Sequence, residues 1–427
     1  MKRTLLLATI FAVAFTTAIA QQSYDLAARA VEPARQRLIP THRMADAISG
    51  NYSASRFVAE VAKPTQSNGA YTTSFFLPVH WLNRQVMLRV GYASTAFTVE
   101  VNGREVGFAP TGVMGAEFNI TKATKDDANE VVIKLDASAL ANKLYPKSDL
   151  VVEGIEIYTQ PTLRMRDVIS TLTINEQGGA LAEVAVPIKC DALNPKSTRI
   201  HYALRLNDTI LLSEGYREMT LDMRREDTLR FACAVPTTAL WSHKSPARVR
   251  LELESRVDGR ITECVSRTFG LRQLSYKGGK LLINKEEVKL NLVDIEKVKS
   301  VAKAAKGGYN GVIITLDRGA YEVIEECEKR GLYVVVRTPI NTTALGDHIR
   351  RGGNPSNDLL WSESYLWRNA YALHATKASC AVVGYEIAQG TTSGINIYET
   401  YLMMKALAPH HLVIYRGAQG EWANDEY

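Results

Sequence analysis

The stretch "VVGYEIAQG", Val382 to Gly390, decides how the last third of the chain is read. It is an apolar run interrupted by one Glu, and it stops at the polar pair Gln389-Gly390. Such a run reads as a buried strand. "SESYLWRNAYALHATK" before it and "IYETYLMMKALAP" after it read as helices. Further out, "YNGVIITL", "LYVVVRTP" and "HLVIYRG" read as apolar strands, and "GAYEVIEECEKRG" as a helix. "DIEKVKSVAKAAKGG" reads as one helix stopped by Gly307-Gly308. A small hairpin, "GKLLINKEEVKLNLV", leads in. From about Ser275 onward, strands alternating with helices imply a parallel sheet covered on both faces.

Upstream the rhythm is different. From about Tyr52 to Tyr158 short alternating runs are split by turn residues, as in "AYTTSFFLPVHW", "QVMLRVGY" and "EVVIKLDASAL". "TVEVNGREVGF" is a hairpin signal, because Asn102-Gly103 tolerates the positive φ of a type I′ turn. This region predicts an all-β sandwich. From about Leu163 to Leu274, "RMRDVISTLTI", "GALAEVAVPIKC", "RIHYALRL", "TLRFACAV" and "RVRLELES" recur at the spacing of an immunoglobulin-like sandwich. Pro161 marks the junction between the two.

A chain of 427 residues suggests two to four domains. Apolar residues make up 46% and charged residues 22%, an ordinary globular balance. The net charge of +6 comes from scattered Lys and Arg, so no nucleic-acid partner is expected. "MKRTLLLATIFAVAFTTAIA" has a basic start, an apolar stretch and a small-residue end. It predicts a signal peptide over residues 1–20 and a periplasmic or secreted protein; the alternative is a membrane anchor. No span is expected in the mature chain. Five cysteines leave at least one thiol unpaired within the chain, and their spacing matches no zinc motif.

The order of these segments resembles glycoside hydrolase family 2, which includes β-galactosidases, β-glucuronidases and β-mannosidases. "FFLPVHWLNRQVMLRVGYASTAFTVEVNGREVGF" and "GIEIYTQP" resemble its sugar-binding domain. "LWSHKSPARVRLELESRVDGRITECVSRTFGLRQL" resembles the exit from its second domain, closing on Phe269-Gly270-Leu271-Arg272. "GGKLLINKEEVKL" resembles the lead-in to its barrel. The resemblance implies a multidomain β plus α/β protein. Residues 21–160 would be a jelly-roll sugar-binding-like domain, 161–274 an immunoglobulin-like β-sandwich, and 275–427 a partial (β/α) TIM-type barrel. About five parallel strands follow Leu274, against eight in a closed barrel. An open edge would need cover from the chain's own helices and tail, another subunit or another protein.

The resemblance also implies where catalysis should sit. The family's acid-bearing strand reads Trp-Ser-x-Gly-Asn-Glu. Aligned without gaps, Tyr385 and Glu386 take the first two places, Gln389 the Asn, and Gly390 the general acid. Ile313 and Leu316 stand where an Arg and a His are expected, and "RTPINTT" replaces a Glu and an Asn. The family's second catalytic Glu would lie on a later strand, beyond Tyr427. Retaining glycosidases use two carboxyl groups about 5 Å apart. The replacement candidates are Glu386, inside the apolar run, and Asp317, at a strand tip. The alternative for Glu386 is an interior Glu paired with Lys or Arg. The alternative for Asp317 is a cap or turn residue. Trp361, Trp367 and Trp422 are candidates for stacking on sugar rings, with core or helix packing as the alternative. Trp81 and Trp241 match structural positions of the family. His348, His374, His410 and His411 have no helical ligand spacing and read as loop or surface residues. The carboxylates that hold Mg²⁺ in family enzymes are missing, so neither metal nor cofactor is expected.

Three functions follow. The first is a catalytically inactive family relative that binds carbohydrate or acts as a scaffold. The second is an active retaining β-glycosidase with a displaced or partner-supplied carboxylate. The third is a protein-interaction module without sugar affinity.

Overall fold

A computed structural model of the chain describes residues 26–427 except 53–54, 82, 346–353, 391–392, 419–423 and 426–427. The signal-peptide segment lies outside the described residues, as do His348 and Trp422.

The first β region is two antiparallel sheets. One orders Thr65–Ser67, Ala70–Phe76, Ala128–Asp136, Ala96–Val101 and Arg104–Ala109; the other orders Ala116–Asn119, Val86–Ala93 and Val152–Thr159. They share one core, with Phe75, Phe97 and Ile133 from the first meeting Leu88, Phe118 and Ile157 from the second. Trp81 is buried in the same core, and its indole N–H donates to the Arg56 carbonyl at 2.8 Å. The Asn102-Gly103 hairpin forms as expected, with φ of 52° and 75° at the turn and Val101 paired to Arg104.

The second β region is likewise two antiparallel sheets. Ile169–Ile174, Ala180–Cys190 and Glu226–Val235 form one, with Leu163–Met165 also paired to Ala180–Cys190. Ile210–Leu221, Lys196–Leu206, Val249–Val257 and Arg260–Phe269 form the other. Tyr202 and Phe231 stack across the two sheets at 3.8 Å between ring centroids.

The third region carries five parallel strands in chain order: Leu292–Asp294, Gly311–Thr315, Tyr333–Arg337, Val382–Glu386 and Leu412–Ile414. Residues from Gly311 to Thr315, Tyr333 to Arg337 and Val382 to Glu386 are all buried. The continuous apolar runs follow from that, since each fully buried Val or Ile contributes roughly 1.5–3 kcal/mol. Helices Ala320–Arg330, Ser362–Thr376 and Ile395–Leu407 lie between successive strands, as the sequence predicts. One expectation is corrected. The segment after Leu292–Asp294 is not one helix but two, Ile295–Val298 and Val301–Lys306. Lys299 breaks it at φ 64°, and the side chains of Asp294 and Ser300 cap the two pieces.

The three regions are tied by buried polar groups. The Trp241 indole N–H donates to the Glu328 carbonyl at 2.8 Å, docking the second β region on helix Ala320–Arg330. Arg368 on helix Ser362–Thr376 is fully buried without a carboxylate. It donates instead to the carbonyls of Pro339 and Ala141, each at 2.8 Å, and of Pro110 at 3.3 Å. Desolvation pulls its guanidinium down to about 9.

Candidate functional site

At the C-terminal ends of the parallel strands, register brings charged residues level with one another. Arg337 pairs directly with Glu386 in the ladder, and Thr315 with Arg337. A guanidinium and a carboxylate inside two adjacent apolar strands must find partners there, because an unpaired buried charge is costly. Arg337 Nε donates to Glu386 Oε2 at 2.7 Å, and its Nη2 lies 2.9 Å from Asp294 Oδ2. Arg416, just beyond the last strand, donates Nε to Glu386 Oε1 at 2.7 Å and Nη2 to Oε2 at 2.8 Å. The side chains of Glu386 and Arg337 are each 3% exposed. Both Glu386 oxygens therefore accept from guanidinium groups, the geometry of a structural ion-pair row. The paired-Glu alternative in the sequence is the one observed. Arg416 and Asp294 had no assigned part in it; the signal for the row was a charge of each sign at the polar end of apolar strands.

One turn further on, the chain reaches Gln389 and Gly390. The backbone there still pairs laterally. Gln389 N–H donates to the Ile340 carbonyl at 2.8 Å, and Thr342 N–H to the Gln389 carbonyl at 2.9 Å. A Cβ built on Gly390 would stand 2.6 Å from the Tyr415 hydroxyl and 2.7 Å from Thr342 Oγ1. The space a side chain would occupy is already filled.

Asp317 sits at the tip of strand Gly311–Thr315, facing the first β region. It is the turn residue of the cap-or-turn alternative: its carbonyl accepts from Ala320 N–H at 3.0 Å and its Oδ1 from Arg318 N–H at 2.7 Å, while helix Ala320–Arg330 begins at Gly319 without a side-chain cap. Asp317 Oδ2 instead accepts from the Tyr145 hydroxyl at 2.9 Å and from Lys147 Nζ at 2.5 Å. Burial and the Asp317 carboxylate both push the Tyr145 hydroxyl well up from its ordinary range. Asp317, Lys147 and Arg318 line a pocket of about 360 Å³ between the strand tips and the first β region.

The aromatic candidates divide. Trp361 is 5% exposed and belongs to the core of the third region, so its ring is not presented to a sugar. Trp367 is half-buried and packs at 5.3 Å against Tyr371. Trp81 and Trp241 are both core residues. His374 lies in helix Ser362–Thr376. His411 lies in the loop between helix Ile395–Leu407 and strand Leu412–Ile414, as expected, but not at the surface: both ring nitrogens are buried without a partner, 5.7 Å ring to ring from Tyr385. Burial, with Arg272 next, pushes its imidazole down to about 3. All five cysteines are buried and unbonded.

Among the described residues no group of three or more His, Cys, Asp or Glu side chains is placed to hold a metal ion. The strand-tip carboxylates Asp294, Glu386 and Asp317 are taken by cationic side chains, a donor set that does not suit Mg²⁺. Among the described residues no helix is long and apolar enough to cross a membrane.

Residues 39–150 match the model of the glycosyl hydrolases family 2 sugar binding domain. The β-galactosidase of Priestia megaterium is 22% identical over 386 residues, covering 83% of this chain and 37% of that protein. The β-galactosidase of Halalkalibacterium halodurans is 21% identical over 384 residues, covering 84% of this chain and 37% of that protein. The chain thus spans a little over a third of the length of these curated relatives. In fold it is similar to Bacteroides uniformis β-glucuronidase, with a TM-score of 0.66 at 15% identity over 81% of this chain and 46% of that one. It is also similar to a putative β-galactosidase from Bacteroides fragilis, with a TM-score of 0.65 at 13% identity over 91% of this chain and 64% of that one. Residues 39–150 thus match a family 2 sugar binding domain, and most of the chain is similar to β-galactosidases in sequence and to a β-glucuronidase in fold.

Proposed function

We propose that this chain is a catalytically inactive member of glycoside hydrolase family 2, exported from the cytosol, that binds carbohydrate or serves as a scaffold. In this reading residues 21–160 are a jelly-roll sugar-binding-like domain and 161–274 an immunoglobulin-like sandwich. Residues 275–427 supply five parallel strands of a (β/α) barrel. The observation that carries it is Gly390. The acid-bearing strand of the family ends here in a residue with no side chain, and Tyr415 and Thr342 fill the space. A general acid is worth roughly 10²–10⁴ in rate. Glu386, the nearest carboxylate in the same strand, has both oxygens engaged by Arg337 and Arg416.

The purified chain is expected to show no turnover of aryl β-galactosides, β-glucuronides or β-mannosides above background. Binding of glycans on an array separates carbohydrate binding from a pure interaction role. The second reading, an active β-glycosidase with a moved carboxylate, draws on Asp317 and its pocket. Turnover by the unaltered chain that disappears in Asp317→Asn would establish it and overturn the first. N-terminal sequencing of native protein tests export: a start after Ala20 is expected, and a start at Met1 contradicts it.

A further inference from the structure

A second cavity, of about 570 Å³, lies where the three regions meet, and it shares no lining residue with the Asp317 pocket. Its size is that of small-molecule sites. Four parts of the chain build it. Arg35 and Gln36 come from the segment before the first β region, and Arg89 and Glu117 from that region's three-stranded sheet. Arg267 comes from the second β region, and Tyr371 from helix Ser362–Thr376.

Its polar groups are unevenly satisfied. Glu117 lies 3.6 Å from Arg35. Glu328, also on the wall, accepts from Gly270 N–H at 3.1 Å and the Ser379 hydroxyl at 2.6 Å. Arg89 and Arg267, by contrast, have neither a hydrogen bond nor a carboxylate within ion-pair distance among the described residues. The Tyr371 hydroxyl has no hydrogen-bond partner among them either. Gln36 Oε1 is buried with no donor. Arg89, Arg267 and Tyr371 are half-buried, whereas the Gln36 oxygen is buried, and leaving that oxygen without a donor costs about 1–3 kcal/mol. Burial pulls the Arg267 guanidinium down to about 10, with Asp167 and Glu328 acting against it from beyond ion-pair distance. The groups without a hydrogen-bond partner on this wall include the two guanidinia, the Tyr371 hydroxyl, Arg248 Nε, the Gln36 oxygen and the exposed Glu322 carboxylate, while Glu32 and Glu325 are paired with Arg166 and Lys329.

We propose that this cavity binds a small hydroxylated oxyanion, a sugar acid or a sugar phosphate. Arg89 and Arg267 take its charge, the Tyr371 hydroxyl donates to it, and Gln36 Oε1 accepts from a ligand hydroxyl. Guanidinium groups suit carboxylate and phosphate through charge-assisted bonds. Because the two arginines belong to different β regions, the ligand links them, and binding stabilises the junction. This goes beyond the glycan-binding reading, since a neutral glycan has no use for the two charges.

Isothermal titration calorimetry of the full chain with D-glucuronate, glucose 6-phosphate, inorganic phosphate and glucose tests it. Saturable one-to-one binding of glucuronate or glucose 6-phosphate is expected, and whichever binds identifies the oxyanion. Inorganic phosphate should bind more weakly and glucose not at all. Arg267→Met and Arg89→Met should each weaken binding about tenfold or more, and Tyr371→Phe severalfold. Circular dichroism checks that the variants fold; Tyr371→Phe, which keeps the ring against Trp367, remains decisive if an arginine variant does not. The inference is overturned if neither organic oxyanion binds the unaltered chain, if glucose binds as well as they do, or if the folded variants bind as tightly as the original. A glycan array run on the same variants keeps the two proposals apart, because array binding should survive Arg267→Met.

Discussion

The Tyr415 hydroxyl lies 2.6 Å from the point where a Cβ on Gly390 would stand, too close for any side chain to enter without displacing it. Tyr415 is itself 1% exposed, so its ring has little room to retreat. Gly390→Ala should therefore destabilise the chain by about 1–3 kcal/mol, the usual cost of overpacking. Combining it with Tyr415→Phe should cost less than the sum of the two single changes, read by urea denaturation as a double-mutant cycle. Gly390→Glu should leave aryl β-glycoside turnover at background.

Glu386→Gln should be severe. It removes the anion that faces Arg337, whose side chain is 3% exposed, and leaves that guanidinium with Asp294. Breaking a buried pair in this way costs roughly 3–5 kcal/mol. Arg416→Gln should cost much less, because its side chain is 50% exposed and Arg337 still holds the carboxylate. Equal losses in the two variants would contradict the view that the interior pair carries the row.

Glu263 sets an alkaline slope. Burial pushes its carboxyl up to about 8 from an ordinary 4.5, although the Met165 N–H donates to it at 2.6 Å. The folded state therefore holds a proton that the unfolded chain releases. That contribution is complete below about 4.5 and is lost as pH rises toward 8, at no more than about 1.4 kcal/mol per pH unit. Glu263→Gln should flatten the decline in stability between pH 5 and 8. An unchanged pH profile in melting experiments would mean Glu263 is not the group responsible.

His411 acts at the acid end. Its imidazole is held near 3 against 6.5, so the folded chain excludes a proton that the unfolded chain binds. Its contribution is present above about 6.5 and is lost as pH falls toward 3. His411→Phe keeps a ring beside Tyr385 and should shallow the loss of stability between pH 6.5 and 4.

Much of this architecture was open to reading in one dimension. The Asn102-Gly103 turn, the period-two strands and the alternating apolar strands and helices all formed, because local backbone preference and burial pattern act over a few residues. The broken helix at Lys299 shows the limit. Two competing capping residues, Asp294 and Ser300, sit six apart in a stretch whose periodicity looks continuous. The site was half legible. Glu386 and Arg337 stood out as charges at the ends of apolar runs, but their pairing depends on strand register. Arg416 reaches the same carboxylate from 30 residues later in the chain.

The sequence by itself determined the order of the three regions, the buried strands and the absence of a carboxylate at Gly390, since each depends on residue type and local pattern. Only the tertiary structure decided that Tyr415 and Thr342 fill the space beside Gly390. It alone buried Trp361 and turned Asp317 toward Tyr145 and Lys147 instead of capping a helix. It alone gathered Arg89, Arg267 and Tyr371 around one cavity. Those outcomes depend on contacts between residues tens to hundreds of positions apart, where packing density and the cost of unpaired buried charge choose the partner and local propensity has no say.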